Sequence, residues 1–380
     1  MIAQSGKNLP GAHGCLPTVR QQRLLQAAAA PAELARQAWQ QWRAEGDLDG
    51  VDSASGRLLL WIYHRREELG LSAADAAALE PRYRQVWLRN QVLLNRSASL
   101  VSRLQASGIS CLLLKGLPLL IAEYQDEGGR YLEDFDILVH SEDVERAVFL
   151  LNALGWKTPF PDEVSTEKSH AHGFSNAEGF SCDLHWHLLW RPHAQVDETP
   201  LWLAKRPIQL RDEPTFTLSV EHLLLHLCVH GMSWETVPPI RWILDVHLLL
   251  RHHIAKWDAV LAEAQRRGVT LPLAEALAIY EAVLPGEIPA LVHQQLRQLP
   301  PTDDQRLAYA QIVVEPAASK VLTGLLADWR TAKREGRVKL GLGGMIRFLC
   351  LRWHVPSVWR LPGQFYHRFH RRWRSLNFLR

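Results

Sequence analysis

The hydrophobic period of this chain changes sharply at Gly108, and that change restricts the fold more than any other feature. Before it, apolar residues recur at helical spacing. Leu24, Leu25, Ala28, Leu34, Ala38 and Trp42 mark a helical region over about Val19 to Gly46. A Gly- and Asp-rich break runs from Gly46 to Gly56, and a second apolar segment covers Leu58 to Leu69. Ser72 is an N-cap signal with Asp75 in the first turn. Val86, Leu93, Leu100 and Leu104 then stripe a longer helix over about Pro81 to Ser107. Beyond Gly108, Cys111-Leu112-Leu113-Leu114 is a short, wholly apolar run, as a buried strand requires.

Lys115-Gly116 ends that run, and Leu117 to Tyr124 reads as a helix with Pro118 near its first turn. After a polar loop, Glu133-Asp134-Phe135-Asp136-Ile137-Leu138-Val139 alternates like a strand. Ser141 to Leu154 is an amphipathic helix, capped by Ser141 and closed by Gly155. His170 to Ser175 and Phe180 to Leu188 are two more strands, so the middle reads β-α-β-α-β-β. From Ser219 the pattern is helical again, clearest over Glu221 to Gly231 and Arg241 to Arg251. Further helices fit Ala255 to Arg267, Leu273 to Val283, Pro289 to Leu299 and Ser319 to Glu335. The expected fold is α+β, a small mixed sheet between helical regions. Its expected divisions are an N-terminal helical region (1–95), the core (96–215), a C-terminal helical region (216–340) and a basic, Trp/Arg-rich tail (341–380).

The 380 residues, 47% apolar and 22% charged, supply ample core. Five scattered cysteines without a CxxC exclude a disulfide framework or zinc ribbon and fit a reducing, cytoplasmic compartment. No signal peptide is visible, and no apolar stretch approaches the roughly 20 residues of a membrane span. The net charge of +3 is unevenly spread. From Lys320 to Arg380 there are fourteen Lys and Arg against Asp328 and Glu335. This tail, with Trp353, Trp359 and Trp373, suits contact with a membrane surface or nucleic-acid phosphates; packing on the acidic body is the plainer reading.

The residues with the clearest chemistry follow the change of period. Alternation points Asp134 and Asp136 to one face of their strand. Two carboxylates a few ångströms apart repel by about 4 kcal/mol at an effective dielectric near 20. A cation between them removes that cost, and Mg²⁺ takes carboxylate and phosphate oxygens together. Gly116, between strand and helix, lets backbone N–H groups approach a phosphate, with Lys115 and Arg130 as cations. The alternative is a strand face of Asp134 and Asp136 salt-bridged to Arg130 and Lys115, with no ligand.

Leu113-Leu114-Lys115-Gly116, Tyr124, Arg130 and Asp134-Phe135-Asp136-Ile137-Leu138-Val139 resemble the uncharacterised nucleotidyltransferase family of bacteria, within the DNA polymerase β superfamily. Cys182-Asp183-Leu184-His185-Trp186, Leu224 to Gly231 and Arg241-Trp242-Ile243-Leu244-Asp245 look like that family too. The likeness runs from about Leu93 to Arg251. It implies two metal-binding acids, Asp134 and Asp136, and a third metal-binding carboxylate, Asp183, on a later strand. It implies Mg²⁺ or Mn²⁺ as cofactor and a nucleoside triphosphate (NTP), ATP or another, as donor. Lys115, Gly116 and Arg130 would hold the phosphates, and Asp183 would align or deprotonate the acceptor, with His185 beside it. The expected reaction moves a nucleoside monophosphate to an acceptor, whether small molecule, peptide or RNA. In one respect the chain departs from the pattern: Leu117 stands where the superfamily usually has Ser or a second Gly, so a hydroxyl contact to phosphate is missing. That departure keeps a catalytically weak or inactive binding module in play. The basic tail similarly keeps an RNA-modifying, toxin-like enzyme in play.

The histidines carry separate expectations. His170, His172, His185 and His187 could line one cleft with Asp183. His222, His226 and His230 share a helical face, which either binds zinc or, more plainly, packs through hydrogen bonds. His226, His230 and Asp245 either line an acceptor pocket or bond helix to helix.

Overall fold

The computed structural model describes residues 16–158, 169–189, 196–233 and 239–313, with residues 164, 166 and 346. The tail, residue 346 apart, and the expected Ser319 to Glu335 helix lie outside the described residues. Four helices precede the sheet: α1 (Val19–Ala29), α2 (Ala32–Ala44), α3 (Ser53–His64) and the single turn α4 (Arg66–Leu69). The expected helical region over Val19 to Gly46 is thus two helices. Pro31, which has no N–H to donate, separates them as the N-cap of α2. Asp52 caps α3, accepting from Ser55 N at 2.9 Å and Ser55 Oγ at 2.6 Å. A 34-residue helix, α5 (Ala73–Ala106), starts at Ser72 and runs through Pro81.

The strands are β1 (Cys111–Leu114), β2 (Asp134–Val139), β3 (Ala171–Ser175), β4 (Ser181–His185), β5 (Arg206–Leu210) and β6 (Glu213–Thr217). They form one mixed sheet in the order β3-β4-β2-β1-β6-β5. Between β1 and β2 lies α6 (Gly116–Leu119), continuing as a π-helical turn over Leu120–Tyr124. Between β2 and β3 lies α7 (Val144–Ala153), entered through a 3₁₀ turn at Ser141–Asp143. Ser141 does not cap it: its hydroxyl donates to Trp186 O at 3.4 Å instead. Gly155 closes α7 at φ 84°, as expected.

The β5–β6 hairpin has no counterpart in the sequence-based reading. Each strand carries a proline, Pro207 and Pro214, which masks a strand pattern. The sheet tolerates the hairpin at its margin: β5 is an edge, and β6 joins β1 in parallel at Leu113 and Thr217, where Thr217 Oγ1 donates to Leu113 O at 2.8 Å.

The short helix α8 (Thr199–Leu203) precedes the hairpin, and helices α9 to α14 follow it among the described residues. These are α9 (Val220–Gly231), α10 (Arg241–His252), α11 (Trp257–Arg267), α12 (Thr270–Val283), α13 (Ala290–Arg297) and α14 (Asp303–Val313). N-terminal α1 and α3 pack against α10, and α1 also meets α12, so both helical regions share one core with the sheet. Cys111, Cys182 and Cys228 are buried and free. Among the described residues no helix is long and apolar enough to cross a membrane.

Candidate active site

Register assembles the site. β2 and β4 run parallel with Asp136 opposite Asp183 and Leu138 opposite His185. Neighbouring strands lie about 4.8 Å apart and opposed residues share a face. Asp134, Asp136, Asp183 and His185 therefore project from one face of the sheet. Ligand atoms of Asp136, Asp183 and His185 lie within 4.8 Å of one another. Asp134 begins the same strand face, outside that tightest set. On edge strand β3, Gly173 faces Asp183, and a Cβ there would come 3.2 Å from Asp183 Oδ1.

The electrostatics of this face are unbalanced. Burial opposes charge on Asp136, but Lys115 Nζ, 2.5 Å from Oδ1, and His185 Nε2, 3.0 Å from the same oxygen, hold its carboxyl far below the usual range. Burial, then the charges of Asp136 and Asp183, push Asp134 up to about 6. Burial and the Asp136 charge raise Asp183 as well. Among the described residues, three carboxylates thus share one direct ammonium partner. A divalent cation fits this donor set, because it would supply the missing charge among ligand atoms already clustered.

Lys115 reaches Asp136 through an unusual backbone. The chain leaves β1 with Lys115 at φ 50° and ψ −113°, outside the regions a side-chain-bearing residue normally occupies. Such strain persists where surrounding contacts hold it, and it concentrates at functional sites. Gly116 follows because no side chain fits. A Cβ there would lie 2.6 Å from Arg130 Nη1 and 2.9 Å from Leu132 Cδ2.

Arg130 sits behind this turn, buried at 5% exposure. Its Nε and Nη2 donate to Asp245 of α10 at 3.0 and 2.9 Å, and Tyr124 OH donates to Asp245 Oδ1 at 2.8 Å. Asp245 therefore bonds across elements, and it also borders the cleft, as does His230 of α9. Arg130 is held by a carboxylate, although its edge still borders the cleft.

That cleft has a volume of 730 Å³ and reaches from Asp134, Asp136 and Asp183 past Lys115 and Gly116 to α3 and the start of α10. Arg57, Tyr131, Arg241 and Trp242 line it as well. No motif in the sequence marks Arg57 or Tyr131 as a site residue. Arg241 and Trp242 stand in the family-like segment with Asp245, the one available signal.

The four histidines of β3 and β4 separate. His185 is 2% exposed and faces Asp136, with His170 packed edge-on at 5.4 Å between ring centroids. His172 pairs with Leu184, so it points to the opposite face and bonds Thr158 Oγ1 at 2.6 Å. His187 lies 3.6 Å from Glu198. One cleft shared by all four, the sequence-based expectation, does not form: the β3–β4 register sets His172 opposite Leu184 and so on the other face from His185, and His170 and His187 lie beyond the strand ends. On α9, His222 Nδ1 bonds Ser219 Oγ at 2.9 Å, and the rings of His226 and His230 are 6.2 Å apart. They form no metal-ligand cluster among the described residues.

The profile of a family described as uncharacterised nucleotidyltransferase matches residues 53–285. The chain belongs to that family. The match opens at the first residue of α3 and closes just after α12, so it takes in all six strands and the whole cleft of this nucleotidyltransferase-family chain. No curated protein matches it. Among solved structures it is similar to an antigenic nucleotidyltransferase-like protein from Paracoccidioides brasiliensis, at 14% identity over 51% of this chain and 97% of that chain. The TM-score is 0.31, too low for that likeness to carry an argument.

Proposed function

We propose that this chain transfers a nucleotidyl group from a metal-bound nucleoside triphosphate to a nucleophile on an acceptor. One observation carries the reading: Asp136, Asp183 and His185 converge within 4.8 Å on the face that borders a cleft of 730 Å³. Mg²⁺ or Mn²⁺, when bound, would polarise the α-phosphate and neutralise the leaving pyrophosphate. Asp134, Asp136 and Asp183 would hold it. His185, closed off from solvent, orients Asp136 through its Nε2. Asp183 aligns the acceptor hydroxyl and takes its proton. The acceptor oxygen then bonds to the α-phosphorus as the bond to the pyrophosphate oxygen breaks. With a metal held by the carboxylates, Lys115 would be free to pair with the phosphates, and the Gly116 turn would offer them backbone N–H groups where Leu117 brings no hydroxyl. Arg130, paired with Asp245, supports that turn from behind.

Charge supports this reading. Arg57, Lys115, Arg130 and Arg241 line the cleft against Glu133, Asp134, Asp136, Asp183 and Asp245, a near balance that two divalent cations and a triphosphate would preserve. A second reading, a binding module without catalysis, is favoured by Lys115 already sitting on Asp136 where a metal would bind. The hints for an RNA acceptor and for membrane contact lie in the tail, outside the described residues.

Calorimetry with ATP, GTP, CTP and UTP, with and without Mg²⁺, tests both readings. Nucleotide binding that needs Mg²⁺ and is lost in Asp134→Asn/Asp136→Asn is the expected result. Binding that ignores Mg²⁺ and survives the double substitution would leave the binding module as the account of this site.

A further inference from the structure

Of the four cationic side chains lining the cleft, two are committed. Lys115 is on Asp136, and Arg130 donates twice to Asp245. Arg241 differs. It opens α10, is half-buried, and donates from Nη1 to the carbonyl oxygen of Tyr131 at 2.7 Å. Among the described residues no carboxylate forms an ion pair with it. Burial and the neighbouring charge of Arg130 hold it down to about 10, against the opposing pull of Asp245. Asp245, the nearest carboxylate acting on Arg241, is already bound twice by Arg130, and a half-buried cation with no carboxylate in direct contact is costly, so the cleft is shaped to bring an anion to it.

Arg57 stands beside it. Its guanidinium lies 5.7 Å from the centre of the Tyr131 ring, so Tyr131 holds Arg241 by its carbonyl and borders Arg57 by its ring. The bond from Arg57 to Glu133, 2.9 Å, joins two exposed side chains. Such pairs contribute little and exchange readily for a better anion. The first turn of α10 carries no acid, so its N–H groups add positive potential of the same sign.

We infer that Arg57 and Arg241 form a phosphate subsite in this cleft, distinct from the carboxylate cluster that would hold metal. The inference rests on the nucleotidyl-transfer reading only for the source of the phosphate. It belongs either to the donor triphosphate or to a phosphorylated acceptor. In both cases planar guanidinium forks meet phosphate oxygens, the geometry in which arginine exceeds lysine.

The test is calorimetric titration of inorganic tripolyphosphate in metal-free buffer. The proteins are wild type, Arg241→Gln, Arg57→Gln/Arg241→Gln, Arg241→Lys and Asp134→Asn/Asp136→Asn. Losing a charge-assisted hydrogen bond weakens binding about tenfold. Arg241→Gln should show that loss, the double arginine variant more, and Arg241→Lys a partial recovery that a folding defect would not give. The double aspartate variant should bind tripolyphosphate as tightly as wild type or tighter. Equal affinity in wild type and the double arginine variant, or no binding to wild type, would overturn the subsite. Titrating Mg²⁺-ATP then assigns the source: a matching loss in the arginine variants places the subsite on the donor, and an unchanged affinity places it on the acceptor. The nucleotidyl-transfer reading fails separately, through Mg²⁺-independent nucleotide binding in the aspartate variant.

Discussion

Removing the carboxylate of Asp245 is the sharpest test of how this site is held. The Asp245 side chain is 4% exposed and that of Arg130 6%. Two hydrogen bonds join them, at 3.0 and 2.9 Å, and Tyr124 OH adds a third at 2.8 Å. Asp245→Ala leaves a buried guanidinium without its counter-charge, which costs about 3–5 kcal/mol. The Tyr124 hydroxyl loses its acceptor, for a further cost of about 1–3 kcal/mol. The two losses share one partner and overlap, so a total near 4 kcal/mol is expected. Replacing both charges, as Arg130→Met/Asp245→Leu, should recover most of it, because an apolar pair of similar volume carries no desolvation cost. Equilibrium urea denaturation, read as a change in midpoint at constant slope, measures all three proteins. A cost below about 1 kcal/mol for Asp245→Ala, or a double variant no better than the single, would refute the argument that this pair is a buried, mutually dependent unit. Asp245 is held below its ordinary value, so the contribution is present above the unfolded carboxyl range and is lost as pH falls beneath it.

Other expectations follow from the same geometry. Asp134 is raised to about 6 from 3.8, so the metal-free protein loses stability as pH climbs between those values. Asp134→Asn should therefore stabilise the metal-free protein at pH 7.5, by a ceiling of about 3 kcal/mol, and thermal melts with added Mg²⁺ should shrink the gain. Lys115→Met removes the ammonium from a buried carboxylate and should cost about 1–3 kcal/mol without metal; Mn²⁺ should restore part of it in a melting assay. Gly116→Ala drives a Cβ against Arg130 and Leu132 and should cost about 1–3 kcal/mol in urea denaturation, with weaker nucleotide binding. Gly231→Ala, whose Cβ would run into the Trp242 ring, should be destabilising on the same scale.

Local rules made much of this protein legible. Strands β1 and β2 fall on the residues the sequence pattern predicts, because a four-residue apolar run and a two-residue alternation are encoded locally. The same alternation fixes Asp134 and Asp136 on one face in any fold that makes β2 a strand. Ser72 begins α5 and Gly155 ends α7 for reasons equally local. Where local signals conflict, the sequence misleads: prolines hide β5 and β6, and Ser141 turns to Trp186 instead of capping α7.

What tertiary structure alone decided is which distant groups meet. The parallel register of β2 and β4 brings Asp183 and His185 to Asp136 from 47 and 49 residues away, and one step of slip would face Asp183 away. Arg130 and Asp245, 115 residues apart, close behind the Gly116 turn only because α10 packs there. Arg57 and Arg241 share a cleft because α3 and α10 are neighbours. Residue type and period are properties of a segment, whereas pairing of charges depends on register and helix packing. Those are settled only when the whole core closes.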